Sequence, residues 1–126
     1  MEKKIIETKQ APAPIGPYSQ AVQAGNLLFV SGQVAINPAT GNVEATDIKA
    51  ETIQVMKNLE AVLTEAGYQF SNVVKTTIFL SDMNLFGAVN EVYGSFFSSN
   101  FPARETVAVK GLPKNVNVEI SVIASN

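Results

Sequence analysis

Between residues 116 and 125 the chain reads VNVEISVIAS, with Val116, Val118, Ile120 and Val122 at every second position. Successive side chains of a strand point to opposite sides, so this run has one wholly apolar face that must be covered. A cover is available from about Thr46 to Ala66, where Ile48, Thr52, Val55, Met56, Leu59, Val62, Leu63 and Ala66 recur at three- and four-residue steps. That spacing predicts an amphipathic helix with Asp47 as its N-cap and Gly67 just past its end. A one-faced strand and a one-striped helix together point to a sheet with helices packed on one side.

The remaining segments extend this plan. Residues 26–36 (NLLFVSGQVAI) and 72–82 (NVVKTTIFLSD) are rich in β-branched and aromatic residues and read as strands; NPATGN after the first is a turn built on Pro38 and Gly41. A second helix is expected from about Asn84 to Ser98, capped by Asp82 or Asn84, with Phe86, Val89, Tyr93 and Phe96 or Phe97 on one face. RETVAVKG and the final strand are expected to form a hairpin through Gly-Leu-Pro-Lys-Asn. The order is β-β-α-β-α-β-β, with one more short strand at KKIIET. The fold class is α+β, a single mixed sheet with two helices on one face, in one domain spanning residues 1–126. Residues 10–20, QAPAPIGPYSQ, form a long loop, because Pro12, Pro14, Gly16 and Pro17 forbid regular structure.

Alternation assigns Val107 and Val109 to the helix-covered face with the Val116 series. It assigns Arg104, Thr106 and Ala108 to the other face with Asn117, Glu119, Ser121 and Ile123. That second face is too mixed for a core and too lightly charged for ordinary solvent. Only 16% of the residues are charged, against about 25% in a typical soluble domain. Burial of this face between subunits accounts for the shortfall, since interface centres are depleted in charge.

Whole classes of chemistry are excluded. The chain has no cysteine and no histidine, which removes thiol nucleophiles, disulfides, Ser-His-Asp relays and most zinc sites; no metal site is expected. A net charge of −2 argues against nucleic-acid and anionic-membrane partners, which need a basic footprint. The start MEKKIIETKQ lacks the apolar stretch of a signal peptide, and no segment reaches the roughly 18 apolar residues of a membrane span. The expectation is a cytoplasmic protein.

What chemistry remains concentrates on a few residues. Arg104 is the one arginine beside eight lysines. A guanidinium presents a planar fork that grips a carboxylate or phosphate through two parallel hydrogen bonds, which an ammonium cannot do. Two readings of it stand side by side: an anion clamp, or a structural ion pair with Glu119 or across an interface. Glu119 interrupts an otherwise uncharged strand, either as a semi-buried acid able to exchange protons near neutrality or as a solvated or arginine-paired carboxylate. Tyr18 follows a rigid Gly-Pro turn that suits a ring held over a cleft, and a packing role suits it as well. Asn90 lies beside the apolar stripe of the second helix, and Gly32, next to Ser31, sits inside a strand, which marks a bulge or a close backbone approach.

Taken together, IGPYSQAV, LLFVSGQV, VVKTTIFLSDMNLFGAVNEVY, FPAR and LPKNVNVEISVIA resemble the Rid family, the YjgF-type reactive-intermediate deaminases, over essentially the whole chain. The resemblance implies a chorismate-mutase-like fold assembled as a homotrimer, with the sheets lining a central β-barrel and sites in the clefts between subunits. It implies hydrolysis of 2-aminoacrylate, 2-iminopropanoate or 2-iminobutanoate to the 2-oxo acid and ammonia without a cofactor, a role in metabolite damage control. By position, Arg104 corresponds to the carboxylate clamp and Glu119 to the acid serving the attacking water. Tyr18, Ser31, Gly32, Asn90 and Thr106 correspond to the substrate-binding wall, Thr106 through its backbone and Tyr18 from across the interface. Two positions depart from the family pattern: Thr106 stands where many members have cysteine, and Glu105 where a small residue is usual, with alternation turning Glu105 toward the helix side or a rim. The alternatives are a non-catalytic, carboxylate-binding or regulatory trimer and, further off, a ribonuclease or translation inhibitor.

Overall fold

The computed structural model describes residues 2–126. Its elements are β1 (Lys3–Ile6), β2 (Ala21–Ala24), β3 (Leu27–Gln33), α1 (Ile48–Glu65), β4 (Val73–Leu80), α2 (Phe86–Gly94), β5 (Ala103–Ala108) and β6 (Val118–Ser125). They form one six-stranded mixed sheet in the order β1-β2-β3-β6-β4-β5, with β4 and β5 parallel and every other pair antiparallel. Among the described residues no helix is long and apolar enough to cross a membrane.

The first helix forms where its periodicity places it. Asp47 Oδ1 accepts the Ala50 N–H at 2.9 Å, satisfying one of the free donors of the first turn. Gly67 ends the helix at φ +80°, a left-handed conformation that glycine adopts without steric cost. Thr52, Val55, Met56, Leu59, Val62 and Leu63 are buried against Leu28, Val30, Ile78, Leu80, Val118, Ile120 and Val122 of the sheet.

Three expectations are corrected. The second helix ends at Gly94 rather than near Ser98. Glycine is a poor helix former, and the chain beyond it turns so that Phe96 and Phe97 pack on Phe70, with centroids 5.6 and 5.4 Å away. The helix is also preceded by a short 3₁₀ turn, Met83–Leu85, which Asp82 caps. There is no hairpin between β5 and β6: β4 lies between them, because the β4–α2–β5 crossover occupies one side of β4 and leaves its other side for β6. The wholly apolar face of β6 thereby reaches the middle of the sheet, where the helices cover it.

The third correction concerns β5. Its register pairs Arg104, Thr106 and Ala108 with Thr76, Ile78 and Leu80, three residues buried on the helix side. Arg104 and Thr106 therefore face the helices, whereas Glu105 and Val107 share the open side with Thr77 and Phe79. Glu119 pairs with Phe79 and lies on that open side too. Arg104 and Glu119 are on opposite faces of the sheet. The valine pattern of β5 misleads because the open face is itself apolar: Phe29 and Val107 are 43% and 46% exposed there, beside Val22 and Ile123 opposite Phe29.

The buried Glu51 joins helix to sheet. Its carboxylate accepts the N–H groups of Asn117 (2.7 Å) and Val118 (3.0 Å) and the Asn117 side-chain amide (3.0 Å). The bonds tie the first turn of α1 to the start of β6. Glu51→Ala strands these donors and is expected to lower stability by about 2–4 kcal/mol, with Glu51→Gln retaining part of the loss; urea denaturation showing less than about 1 kcal/mol for the alanine variant would contradict this role.

Candidate functional site

Five of the seven candidate residues gather in two clefts, one on each side of the sheet. The first lies between β5 and α2. Arg104 Nη1 donates to Asn90 Oδ1 at 2.5 Å, and the guanidinium carbon stands 5.1 Å from the Tyr93 ring centroid and 5.6 Å from that of Phe86. Asn90, Tyr93, Gly94, Phe101, Pro102 and Arg104 line a cavity of about 440 Å³. Tyr93 is held from below, its hydroxyl donating to Thr76 Oγ1 at 2.9 Å. Burial raises its pKa above the usual phenol value, outweighing the lowering by the Thr76 hydrogen bond and by Arg104, so the ring stays neutral.

Arg104 has no carboxylate partner among the described residues. Among the described residues the ion pairs are Lys49–Glu91 and Lys75–Glu105. The reading of Arg104 as a structural mate of Glu119 within one chain is thus removed. Glu105 pairs with Lys75 at 3.1 Å on the open side of the edge strand, turned away from Arg104; of the two places that alternation offered, the helix side is excluded and the rim remains. Thr106, on the Arg104 side, has a buried hydroxyl oxygen without a hydrogen-bond partner.

The second cleft, of about 420 Å³, lies between the 10–20 loop, β3 and the start of β6, and its lining includes Tyr18, Gly32, Lys114 and Glu119. The loop is irregular but fixed. The buried Gln20 accepts the Thr8 N–H at 2.7 Å and donates to the Thr8, Ala11 and Pro12 carbonyls, while Ser31 Oγ donates to the Ser19 carbonyl at 2.6 Å. Ser31 therefore anchors the loop that carries Tyr18. Gly32 sits at an irregularity in the β3–β6 pairing. A Cβ there would stand 2.8 Å from Glu119 Cδ and 3.0 Å from Cγ, closer still to the carboxylate oxygen, so the missing side chain makes room for the acid. Burial raises the Glu119 pKa above the ordinary carboxylate value, the condition under which a carboxyl group exchanges protons nearer neutrality.

A family model described as endoribonuclease L-PSP matches residues 8–126. The chain belongs to that family, which includes the YjgF and Rid proteins. A RutC family protein of Pyrococcus horikoshii is 51% identical over 122 residues, 97% of each chain. The mouse protein named 2-iminobutanoate/2-iminopropanoate deaminase is 48% identical over 122 residues, 97% of this chain and 90% of that one. The solved structure of YyfA from Yersinia pestis, of the conserved Rid protein family, superposes with a TM-score of 0.96 at 49% identity, covering 99% of this chain and 100% of that one.

Within this Rid-family fold, Tyr18, Gly32 and Glu119 share one cleft and Asn90 and Arg104 the other. Ser31 and Thr106 line neither. No group of three or more acidic residues is disposed to hold a metal ion among the described residues. Phe86 and Tyr93 were legible only as members of an apolar helix stripe; their position beside Arg104 depends on the register of β5, which no local pattern carries. Gln20 and Lys114 had no sequence signal.

The raised pKa of Glu119 has a consequence for stability. Folding disfavours its charged form, so stability is complete below the unfolded-state carboxylate pKa of about 4.3 and falls as pH rises through the higher folded-state value. Glu119→Gln is expected to melt above the unmodified protein at about pH 8, with the difference vanishing near pH 3.5. Thermal melts at the two values check this, and an equal gap at both would remove the effect.

Proposed function

We propose that the protein is an imine/enamine deaminase, hydrolysing 2-aminoacrylate, 2-iminopropanoate or 2-iminobutanoate to the 2-oxo acid and ammonia, and that it works as a homotrimer. The observation that carries the reading is the unpaired fork of Arg104, held by neutral groups at the lip of a cavity. A buried or half-buried cation without an internal anion is suited to an anion from outside, and the planar carboxylate of an imino acid fits a guanidinium bidentately. The name of the mouse relative supports the same chemistry.

In this mechanism Arg104 grips the carboxylate and thereby fixes the neighbouring C=N carbon. An enamine takes a proton from solvent at its terminal carbon and becomes the iminium ion directly. Protonation of the imine nitrogen makes its carbon electrophilic. Water attacks that carbon and passes a proton to the Glu119 carboxylate. Glu119 returns the proton to the amino group of the resulting carbinolamine, the C–N bond breaks as the carbonyl forms, ammonia leaves, and the hydroxyl proton passes back to the Glu119 carboxylate. The substrate is already prone to hydrolysis, so positioning and proton transfer suffice.

Assembly enters because Arg104 and Glu119 lie on opposite faces of one sheet and cannot meet on one substrate within one chain. In the proposed trimer the exposed apolar face around Phe29 and Val107 is buried around a central barrel. The Arg104–Asn90 cleft of one subunit then meets the Tyr18–Gly32–Glu119 cleft of the next. A solution mass of one chain by light scattering, in place of three times 13.5 kDa, would remove this arrangement.

The word endoribonuclease in the family description fits less well. The chain has no histidine for proton transfer and carries a net charge of −2, whereas RNA binding rests on a basic surface.

The deaminase reading is tested by generating 2-aminoacrylate from serine with a dehydratase and trapping the surviving imine with semicarbazide. The unmodified protein suppresses trapping. Arg104→Ala is expected to lose about 100-fold in rate and Arg104→Lys about tenfold, from the loss of charged hydrogen bonds of about 1.5–3 kcal/mol. Failure of the unmodified protein to accelerate loss of 2-iminopropanoate sinks the proposal; binding of 2-oxobutanoate without turnover would instead favour a carboxylate-binding role.

A further inference from the structure

Three side chains around Arg104 come from one face of α2: Phe86, Asn90 and Tyr93 are four and three residues apart, the spacing of neighbours on a helix. Each touches the guanidinium differently. Asn90 accepts one Nη1 hydrogen, and the two rings stand within cation–π distance of its carbon. None of the three carries a charge.

We infer that Phe86, Asn90 and Tyr93 form an uncharged cradle that aims the Arg104 fork and leaves its charge uncompensated for the substrate carboxylate, with Phe86 and Tyr93 acting as positioning residues. The inference rests on the carboxylate-clamp reading above and adds to it which residues make the clamp rigid and why they must be neutral.

The geometry supports both halves. An arginine on an edge strand has a long flexible stem, and a clamp that swings freely loses the advantage of its planar fork. Here the surfaces that meet it are themselves fixed. Tyr93 is buried, its hydroxyl donates to the buried Thr76 at 2.9 Å, and its ring packs on Phe97 at 4.9 Å between centroids. Phe97 in turn meets Phe70 at 5.4 Å and Phe101, on the cavity wall, at 6.1 Å. The aromatic chain thus runs from the core to the lip of the cavity and holds the floor beneath the guanidinium. An aromatic face attracts a cation without neutralising it, and an amide oxygen accepts a hydrogen bond without supplying a formal charge. A carboxylate at the place of Asn90 would occupy the fork instead.

The test uses the full-length protein and 2-oxobutanoate, the product acid, as the probe, with calorimetric binding read beside deamination kinetics. Tyr93→Leu and Phe86→Leu are expected to weaken binding about five- to tenfold, mainly raising KM, and Tyr93→Phe, which keeps the ring, by less than about threefold. Asn90→Asp, nearly the same shape, is expected to weaken binding about tenfold or more, because its charge fills the fork. The deciding measurement is the double-mutant cycle: combined with Arg104→Ala, Tyr93→Leu and Phe86→Leu have no further effect if they act through the arginine. Should Tyr93→Leu fail to fold, Phe86→Leu and Asn90→Asp carry the same comparison. Additive effects in the cycle, or unchanged binding in Asn90→Asp, overturn the cradle alone. Absence of 2-oxobutanoate binding by the unmodified protein overturns the cradle together with the clamp reading. Binding without hydrolysis overturns only the deaminase reading, and the cycle still decides the cradle.

Discussion

The parallel pairing of β5 with β4 is the constraint on which the arrangement of functional groups depends. It follows from the α2 crossover, since a strand that returns through a helix lies beside its predecessor in the same direction. Once Thr76, Ile78 and Leu80 are in the core, the register puts Arg104 and Thr106 over the helices and Glu105 on the far side. A shift of one residue would exchange them, bringing Glu105 to the cavity and sending Arg104 to the open face. The same pairing makes β5 an edge strand, which leaves Arg104 at a rim where a small molecule has access.

The two clefts surround their charged groups by different physical means. Around Arg104 the protein supplies aromatic faces and a neutral acceptor, keeping the cation undiminished. Around Glu119 it supplies burial, which raises the acid's proton affinity, and at Gly32 the space of an absent side chain, which makes room for the carboxyl group. A clamp for a carboxylate must remain charged, whereas a group that shuttles protons must be able to lose its charge. Each cleft has the local environment that its proposed task requires. Their placement on opposite faces of the sheet is why the proposed chemistry calls for a second copy of the chain.

Rigidity in this small fold comes from buried polar groups as well as from the apolar core. Glu51 ties α1 to β6, Gln20 holds the proline-rich loop to its own start, and Asn58 donates to the Val34 and Ile36 carbonyls beyond β3. Each satisfies backbone groups that a loop or strand end would otherwise leave unpaired in the interior. The loop carrying Tyr18 therefore has a definite course despite having no regular structure.

Much of the fold was readable from residues alone. The period of residues 46–66, capped by Asp47 and ended by Gly67, and the alternation from Val116 to Val122 record local geometry and one-sided burial, and the structure keeps both. Gly32 announced a close approach because a glycine inside a strand has few other reasons to be there. The partner in that approach, Glu119, is 87 positions away and could not be read. The same limit explains the errors on β5: alternation says which residues share a face but not which face meets the helices, and an apolar open side made Val107 look like core. The sequence by itself determined the first helix with its caps, most of the strands and the small set of groups able to do chemistry. Only the tertiary structure decided that Arg104 lies against Phe86, Asn90 and Tyr93, and that Glu119 lies on the other side of the sheet. Strand order and register are set by long-range burial, and no local pattern encodes them.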